Sequence, residues 1–502
     1  MGGTRFAGGE LRRWMLVALI LCCRCRSSSC ASSPSQVNAA GERVVTHLPG
    51  FQGPLPFDLR TGYVEVDERN GVRLFYYFTP SERSPDDDPV MLWLSGGPGC
   101  TSFTGLNLNH DCASLKYFSG PLKFDDQGYT GGLPKLMYRS ESWTKVSNII
   151  FLDSPVGTGF SYSIAEQGYN SSDTKAVNQI VIFLRKWFDV HPEFLSNPLY
   201  IGGDSYSGMI VPTVTSEIIA KGNNAGSEPA LNLKGYLVGN PITDVNFDEP
   251  SKIPYAHRMG LISDQIYEAY KKSCSVGDSS HRSSTQCTNS LDAIQKCVKD
   301  IFPFHILEPN CAYASPHPYN LLELKLNSGV REMKLLQDYT TEGFHLSEIY
   351  THCRTGLYTL SRLWANNATV REALGIHKGT VPTWLRCNKT IQLGVQYSRD
   401  ISSSVKYHFD VTTKGYRGLV YSGDHDMAAP YVGTQSWIRS FNFSIVDDWR
   451  PWYVDGQVAG YATSYSNNLT FTTVKGAGHT APEYMPKQCL AMLERWLDGK
   501  VL

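Results

Sequence analysis

The sequence predicts an α/β fold, and three observations carry that prediction. Short apolar, β-rich runs alternate with amphipathic helical stretches along most of the chain. Several of those runs stop at Gly-rich turns, as buried strands do. The composition permits a large core: of 502 residues, 41% are hydrophobic and 19% charged, which excludes wholesale disorder. The 46 Lys and Arg against 47 Asp and Glu leave a net charge of −1, without the basic run of a nucleic-acid-binding chain. No internal repeat is visible. The 27 Pro, 44 Gly and 12% aromatic residues fit a loop-rich enzyme better than a helical scaffold.

The first element is a leader. Arg5, Arg12 and Arg13 precede an apolar run from Trp14 to Cys23, followed by Arg24, Arg26 and a Ser-rich stretch to Ser33. This pattern predicts a secretory signal peptide over residues 1–31, cleaved near Ala31. The run falls short of the roughly 20 apolar residues that span a bilayer, and no later stretch reaches that length. The mature chain is expected to be soluble, without a stable membrane anchor, and either extracellular or vacuolar. Nine cysteines follow the leader region: Cys100, Cys112, Cys274, Cys287, Cys297, Cys311, Cys353, Cys387 and Cys489. In an oxidising compartment several should pair, and their spacing is unlike that of a zinc site. Sequons at Asn170, Asn367, Asn388, Asn442 and Asn468 agree with that compartment.

Val90-Met91-Leu92-Trp93-Leu94 reads as a buried strand ending at the turn Ser95-Gly96-Gly97-Pro98-Gly99, and Asn148 to Leu152 as a second. Thr174 to Phe188 reads as a helix with Val177, Ile180, Leu184, Trp187 and Phe188 on one face and Ser172 or Asp173 as its cap. Leu199-Tyr200-Ile201 is a third strand and Leu233 to Val238 a fourth. Gly418 to Tyr421 and Leu469 to Val474 are late strands, and a helix near Gln488 to Trp496 closes the chain. Between Asp244 and Trp384 the rhythm changes to helical pieces broken by Ser-rich and Pro-rich loops. Residues 245–384 are therefore expected to form a mostly helical lid between two core parts, 45–244 and 385–502. Within it, residues 312–348 are the expected protease-sensitive linker.

The sharpest chemical signal is Gly203-Asp204-Ser205-Tyr206-Ser207-Gly208, between a strand and a helix containing Val214, Ile218 and Ile219. A serine in a strand–turn–helix bounded by small residues is a nucleophile elbow, with Ser207 standing where the motif has its second Gly. Serine needs a base to take its proton, and the base needs an acid to orient it. Gly423-Asp424-His425-Asp426 and Gly476-Ala477-Gly478-His479 each follow a late strand in a Gly-rich loop. The order Ser205, Asp426, His479 is that of α/β-hydrolases. The turn Ser95 to Gly99 and the amide after the nucleophile, Tyr206, would supply oxyanion donors. Asp424-His425-Asp426 also resembles metal ligands, but no partner cluster accompanies it, so no metal and no cofactor is expected.

With Trp93 to Cys100, Asp153-Ser154-Pro155-Val156-Gly157-Thr158-Gly159-Phe160-Ser161-Tyr162 and Gly239-Asn240-Pro241, the chain resembles the serine carboxypeptidase family. Within that family it is most similar to the plant serine carboxypeptidase-like acyltransferases. The likeness runs from Leu48 to the terminal helix. It implies an α/β-hydrolase fold with a helical insertion, Ser205, Asp426 and His479 as catalytic triad, and Gly97 and Tyr206 as oxyanion donors. It also implies the disulfides Cys100–Cys387, Cys274–Cys287 and Cys311–Cys353, the last bridging the linker.

Peptidases of the family have Asn before the Gly-Gly of the oxyanion loop, Glu before the nucleophile, and a further Glu nine residues after the loop cysteine. Here those positions are Ser95, Asp204 and Asn109, with an apparent insert from Asp111 to Ser119. Ser95, Gly96, Asp204 and Asn109 are the expected substrate-binding positions, and the exchanges weaken a clamp for a peptide's terminal carboxylate. The reading is an acyltransferase that takes an acyl group from a small-molecule donor, a glucose ester by resemblance, and passes it to a hydroxyl or amine acceptor. The alternatives are a serine-type carboxypeptidase acting on peptides and a non-catalytic secreted binding protein on the same scaffold.

Overall fold

The computed structural model describes residues 1–2, 37–38, 41–106, 120–125, 129, 131–222, 230–274, 284–310 and 358–502. Residues 3–31 of the leader, Asn109, the insert at 111–119, the linker at 312–348 and the Cys311–Cys353 pair lie outside the described residues, as does Cys112. The fold belongs to one compact unit, Val37–Leu502.

Among the described residues, twelve strands form its principal sheet: β1 (Arg43–Val44), β2 (Arg60–Asp67), β3 (Val72–Thr79), β4 (Val90–Leu94), β5 (Asn148–Leu152), β6 (Tyr162–Ser163), β7 (Leu199–Asp204), β8 (Leu233–Gly239), β9 (Arg417–Gly423), β10 (Ile445–Val454), β11 (Gln457–Tyr465) and β12 (Leu469–Val474). The spatial order is β1-β2-β3-β5-β4-β7-β8-β9-β12-β11-β10, with β6 paired to β3. The six strands from β5 to β12 in that order are parallel, and both flanks are antiparallel.

The central strands read as unbroken apolar runs because both faces are covered. In β4, Val90, Leu92 and Leu94 join the core on one face. Met91 and Trp93 join that on the other. The first face is covered by α1 (Asp173–Val190) and α2 (Ser207–Gly222), which contribute Val177, Ile180, Leu184, Trp187 and Val214. The Ser172 hydroxyl accepts from the Lys175 amide and so starts α1.

Two sequence expectations change. The third strand does not stop at Ile201 but runs to Asp204. Gly202 and Gly203 stay in the ladder because they lie where a Cβ would meet Trp93, Leu237 and the Leu94 carbonyl. The predicted lid also divides. Its first part holds α3 (Val245–Arg258), α4 (Asp264–Ser273) and α5 (Thr285–Val298), with the Cys274–Cys287 disulfide tying the end of α4 to α5. α3 is continuous through Pro250 and Pro254, where Pro-broken pieces were expected. Residues 358–384 are not lid. Leu360, Trp364, Val370, Leu374 and Trp384 are buried in the main core, Trp364 stacked on Phe103 at 5.2 Å. The core therefore resumes by α6 (Tyr358–Ala365), before the expected boundary at 385, because these aromatic side chains pack beneath β4 and β5.

Candidate active site

Three strand ends meet above the sheet. At the end of β7, Ser205 has φ 55, a left-handed conformation that an L-residue adopts only when its surroundings impose it. The surroundings are specific. Ser205 donates its N–H to the Gly239 carbonyl, and its own carbonyl accepts from Gly208 and Ile242. A Cβ at Gly203 would lie 2.6 Å from the Leu94 carbonyl and from Ser207 Cβ, and one at Gly208 2.5 Å from Pro241. Small residues are thus a packing requirement of the turn, and Ser207 fits by donating its hydroxyl to the Leu94 carbonyl at 3.1 Å.

His479 Nε2 lies 2.7 Å from Ser205 Oγ, and His479 Nδ1 lies 2.7 Å from Asp426 Oδ2. Asp426 is fully buried and accepts also from the Ala428 amide, the Ala429 amide and the Asn240 side-chain amide. Asp424 points elsewhere, to His425 Nδ1 at 2.6 Å and the Gly476 amide at 2.7 Å. Of the two carboxylates in Gly423-Asp424-His425-Asp426, Asp426 is the one that meets His479. Burial pulls the His479 imidazole pKa down, but the fields of Asp426, Asp204 and Glu483 and the Asp426 hydrogen bond more than offset it. The net shift is upward, toward imidazolium.

The turn after β4 approaches the elbow closely. A Cβ at Gly96 would sit 2.6 Å from both Ser205 Cβ and the Tyr206 nitrogen. The Gly96 amide donates to Asp204 Oδ1 at 3.1 Å. Among the described residues, the N–H groups of Gly97 and Tyr206 meet no protein acceptor. Gly97 has φ 117, which excludes other residues there. The Ser95 amide donates to Ser102 Oγ, and its hydroxyl lies 3.4 Å from Thr104 Oγ1. The Cys100–Cys387 disulfide fastens this turn, reinforced by the Thr101 N–H to Arg386 carbonyl and Asn388 N–H to Gly99 carbonyl bonds. Asp153, fully buried, accepts from Thr101 Oγ1 and the Ser102 amide on one side and Phe160 on the other, so the Asp153-to-Tyr162 motif braces the same turn. Burial pushes its carboxyl up to about 7.

Tyr206 lines, with Pro98, Ile180, Ile210 and Tyr397, a shallow depression that holds a cavity of only about 20 Å³. Its hydroxyl and that of Tyr397 both donate to Asp173. Asp204 is buried at 9% exposure, and burial raises its pKa, partly countered by His479, the Gly96 amide and Arg386.

Sequence reasoning assigned no role to Asn240, Glu483 or Arg386. Asn240, fully buried with φ 43, bridges the Gly423 amide and Asp426. Its place in Gly239-Asn240-Pro241, at the end of the strand beside β9, was the available signal. Among the sequons, Asn170, Asn442 and Asn468 are exposed. Asn367 caps a short helix through the Thr369 amide, whereas the Asn388 and Asn468 side-chain amides donate to Gly157 and Gly415. No helix among the described residues is long and apolar enough to cross a membrane.

Comparison with known proteins agrees with this architecture. Residues 49–499 match the serine carboxypeptidase family model. Serine carboxypeptidase-like 17 of Arabidopsis thaliana is 46% identical over 91% of this chain and 93% of its own length. Serine carboxypeptidase-like 19 of the same plant is 46% identical over 91% and 95%. Among solved structures, the Kex1 prohormone-processing carboxypeptidase of Saccharomyces cerevisiae superposes with a TM-score of 0.67 over 91% of this chain and 94% of its own, at 19% identity, a likeness of fold. The chain belongs to the serine carboxypeptidase family and has its α/β-hydrolase-type fold.

Proposed function

We propose that this protein is an acyltransferase that works through an ester on Ser205. The observation that carries the reading is the unbroken hydrogen-bond chain Ser205–His479–Asp426, facing two unpartnered N–H groups on Gly97 and Tyr206. His479 takes the Ser205 proton as the oxygen attacks the donor's carbonyl carbon. The carbonyl oxygen gathers negative charge between the two N–H groups. His479 returns the proton to the leaving alkoxide, a sugar when the donor is a glucose ester. An acceptor hydroxyl or amine then gives its proton to His479 and attacks the acyl carbon, releasing Ser205. Fixed donors aimed at the developing charge are typically the largest contribution in such chemistry.

Transfer is favoured over peptide hydrolysis by the neighbours of the elbow. Ser95 turns its hydroxyl to Thr104, and one Asp204 oxygen is occupied by the Gly96 amide. Neither is set to hold a terminal carboxylate as the longer Asn and Glu of the peptidases would be. The disulfides and the family fit a protein of the secretory pathway, with the vacuole or cell exterior as the proposed destination.

The test is kcat/KM on a glucose ester of an aromatic acid and on a blocked dipeptide, at acidic pH, with and without an acceptor alcohol. Acceptor-dependent ester transfer exceeding dipeptide cleavage is the expected result. Efficient dipeptide hydrolysis with no ester transfer makes the protein a carboxypeptidase. Failure of Ser205 to label with a fluorophosphonate makes it a binding protein.

A further inference from the structure

Asp426 and His479 sit on separate loops, and a single short stretch of the insertion holds both. The Pro303 carbonyl accepts from the amides of Met427 and Ala428, at 2.8 and 3.0 Å. The Phe304 carbonyl accepts from the His479 amide at 2.7 Å, and the Ile306 amide donates to the His425 carbonyl at 3.0 Å. The Phe304 ring packs on the His479 ring with centroids 5.0 Å apart. Gly478 makes the approach possible, since a Cβ there would lie 2.4 Å from the Phe304 oxygen.

The shape of this stretch is fixed by His305, which is 3% exposed. Its Nδ1 accepts from the Leu307 amide at 3.2 Å, and its Nε2 lies 3.2 Å from the Gly476 carbonyl. An amide only donates and a carbonyl only accepts, so the ring is neutral with its proton on Nε2. A second proton would set two N–H donors against each other at Leu307. Among the described residues, the titratable groups facing it include His425, stacked at 5.4 Å and paired with Asp424, and Tyr484 at 4.5 Å, with His479 beyond Gly478.

We propose that His305 is a positioning residue for the reaction: in its neutral form it shapes the stretch that aims Asp426 and His479 at Ser205. The proposal rests on the triad reading given above. It makes the insertion part of the catalytic frame rather than a cover over it. Loss of His305 should act on turnover and leave ground-state substrate binding nearly alone.

The test compares His305→Leu, His305→Asn and Ser205→Ala in the full-length protein, using hydrolysis of a p-nitrophenyl ester and the rate of fluorophosphonate labelling. His305→Leu removes both polar contacts and should lower kcat and labelling by about 10²-fold with KM within threefold, as a misplacement near 1 Å would. His305→Asn keeps an acceptor for the Leu307 amide and should retain more than a third of wild-type kcat. If His305→Leu does not fold, His305→Ala, which also removes both polar contacts, takes its place. A folded His305→Leu or His305→Ala with kcat within threefold of wild type overturns the proposal, as does a folded His305→Asn that keeps less than a tenth of it. Should Ser205→Ala keep its rate, the triad reading itself falls; a dead Ser205→Ala beside a fully active His305→Leu removes only the role given to His305.

Discussion

Replacing Gly96 by alanine tests the oxyanion arrangement without replacing a triad residue. The added methyl carbon would lie 2.6 Å from Ser205 Cβ, 2.6 Å from the Tyr206 nitrogen and 2.9 Å from the Asp204 carbonyl oxygen. All three neighbours belong to the elbow, and two are backbone atoms that no rotamer change can move. Ordinary contact begins at 3.4 Å, so the turn and the elbow must separate by about 0.8 Å. That separation carries the Gly97 amide away from the Tyr206 amide, and the two can no longer converge on one oxygen. Loss of one oxyanion donor costs about 10²–10³ in kcat, or about 2.7–4 kcal/mol of transition-state stabilisation. Gly96→Ala should therefore lose at least about that factor on a p-nitrophenyl ester. The assay is steady-state kcat together with a thermal melt to establish that the protein is folded. A folded Gly96→Ala variant within threefold of wild-type kcat would refute the assignment of this turn as the oxyanion site.

Asp426→Asn should lower kcat by about 10⁴, because the amide favours the wrong imidazole tautomer, whereas Asp424→Asn should cost less than tenfold. The same ester assay ranks them, and a costlier Asp424→Asn would reverse the choice of carboxylate. Asp153, with its carboxyl raised to about 7 by burial, favours the folded state most where it is protonated. Its contribution is complete below about pH 4 and fades as pH rises through about 7, a loss of up to about 4 kcal/mol. Denaturant midpoints at pH 4, 5.5 and 7.5 should fall with pH in the wild type and fall less steeply in Asp153→Asn, whatever that variant's absolute stability. Equal slopes would show that another group carries the effect.

Much of the site was legible because its chemistry is local in the chain. Gly203 to Gly208 must form a tight turn between a strand and a helix wherever it occurs, since Ser205 needs a left-handed backbone and its neighbours leave no room for side chains. Asp426 and His479 each follow a strand by three to five residues, and parallel strands in one sheet deliver their C-terminal ends to one edge. The choice between Asp424 and Asp426 was less secure. Two carboxylates two residues apart differ only in which way the loop turns them, and that is decided by Asn240 and the Ala428 amide.

The end expected for the lid, at 384, differs from the structure for a related reason. Trp364 and Trp384 look alike in a helical lid and in a core, and nothing near them in sequence says which surface they meet. Phe103, Phe124 and Phe160, which pack against them, lie more than 200 residues away.

The sequence by itself determined the α/β class, the strand–turn–helix around Ser205 and the order of the three reactive side chains. Each follows from short-range sterics or from the two-residue and 3.6-residue periods of burial. Only the tertiary structure decided which carboxylate faces His479, where the insertion ends, and that Pro303 and Phe304 hold both triad loops. Those outcomes depend on contacts between segments from about fifty to nearly three hundred residues apart, and the hydrogen-bonding groups involved are largely backbone amides and carbonyls. Every residue but proline carries the same pair of them, so the sequence cannot mark which ones meet.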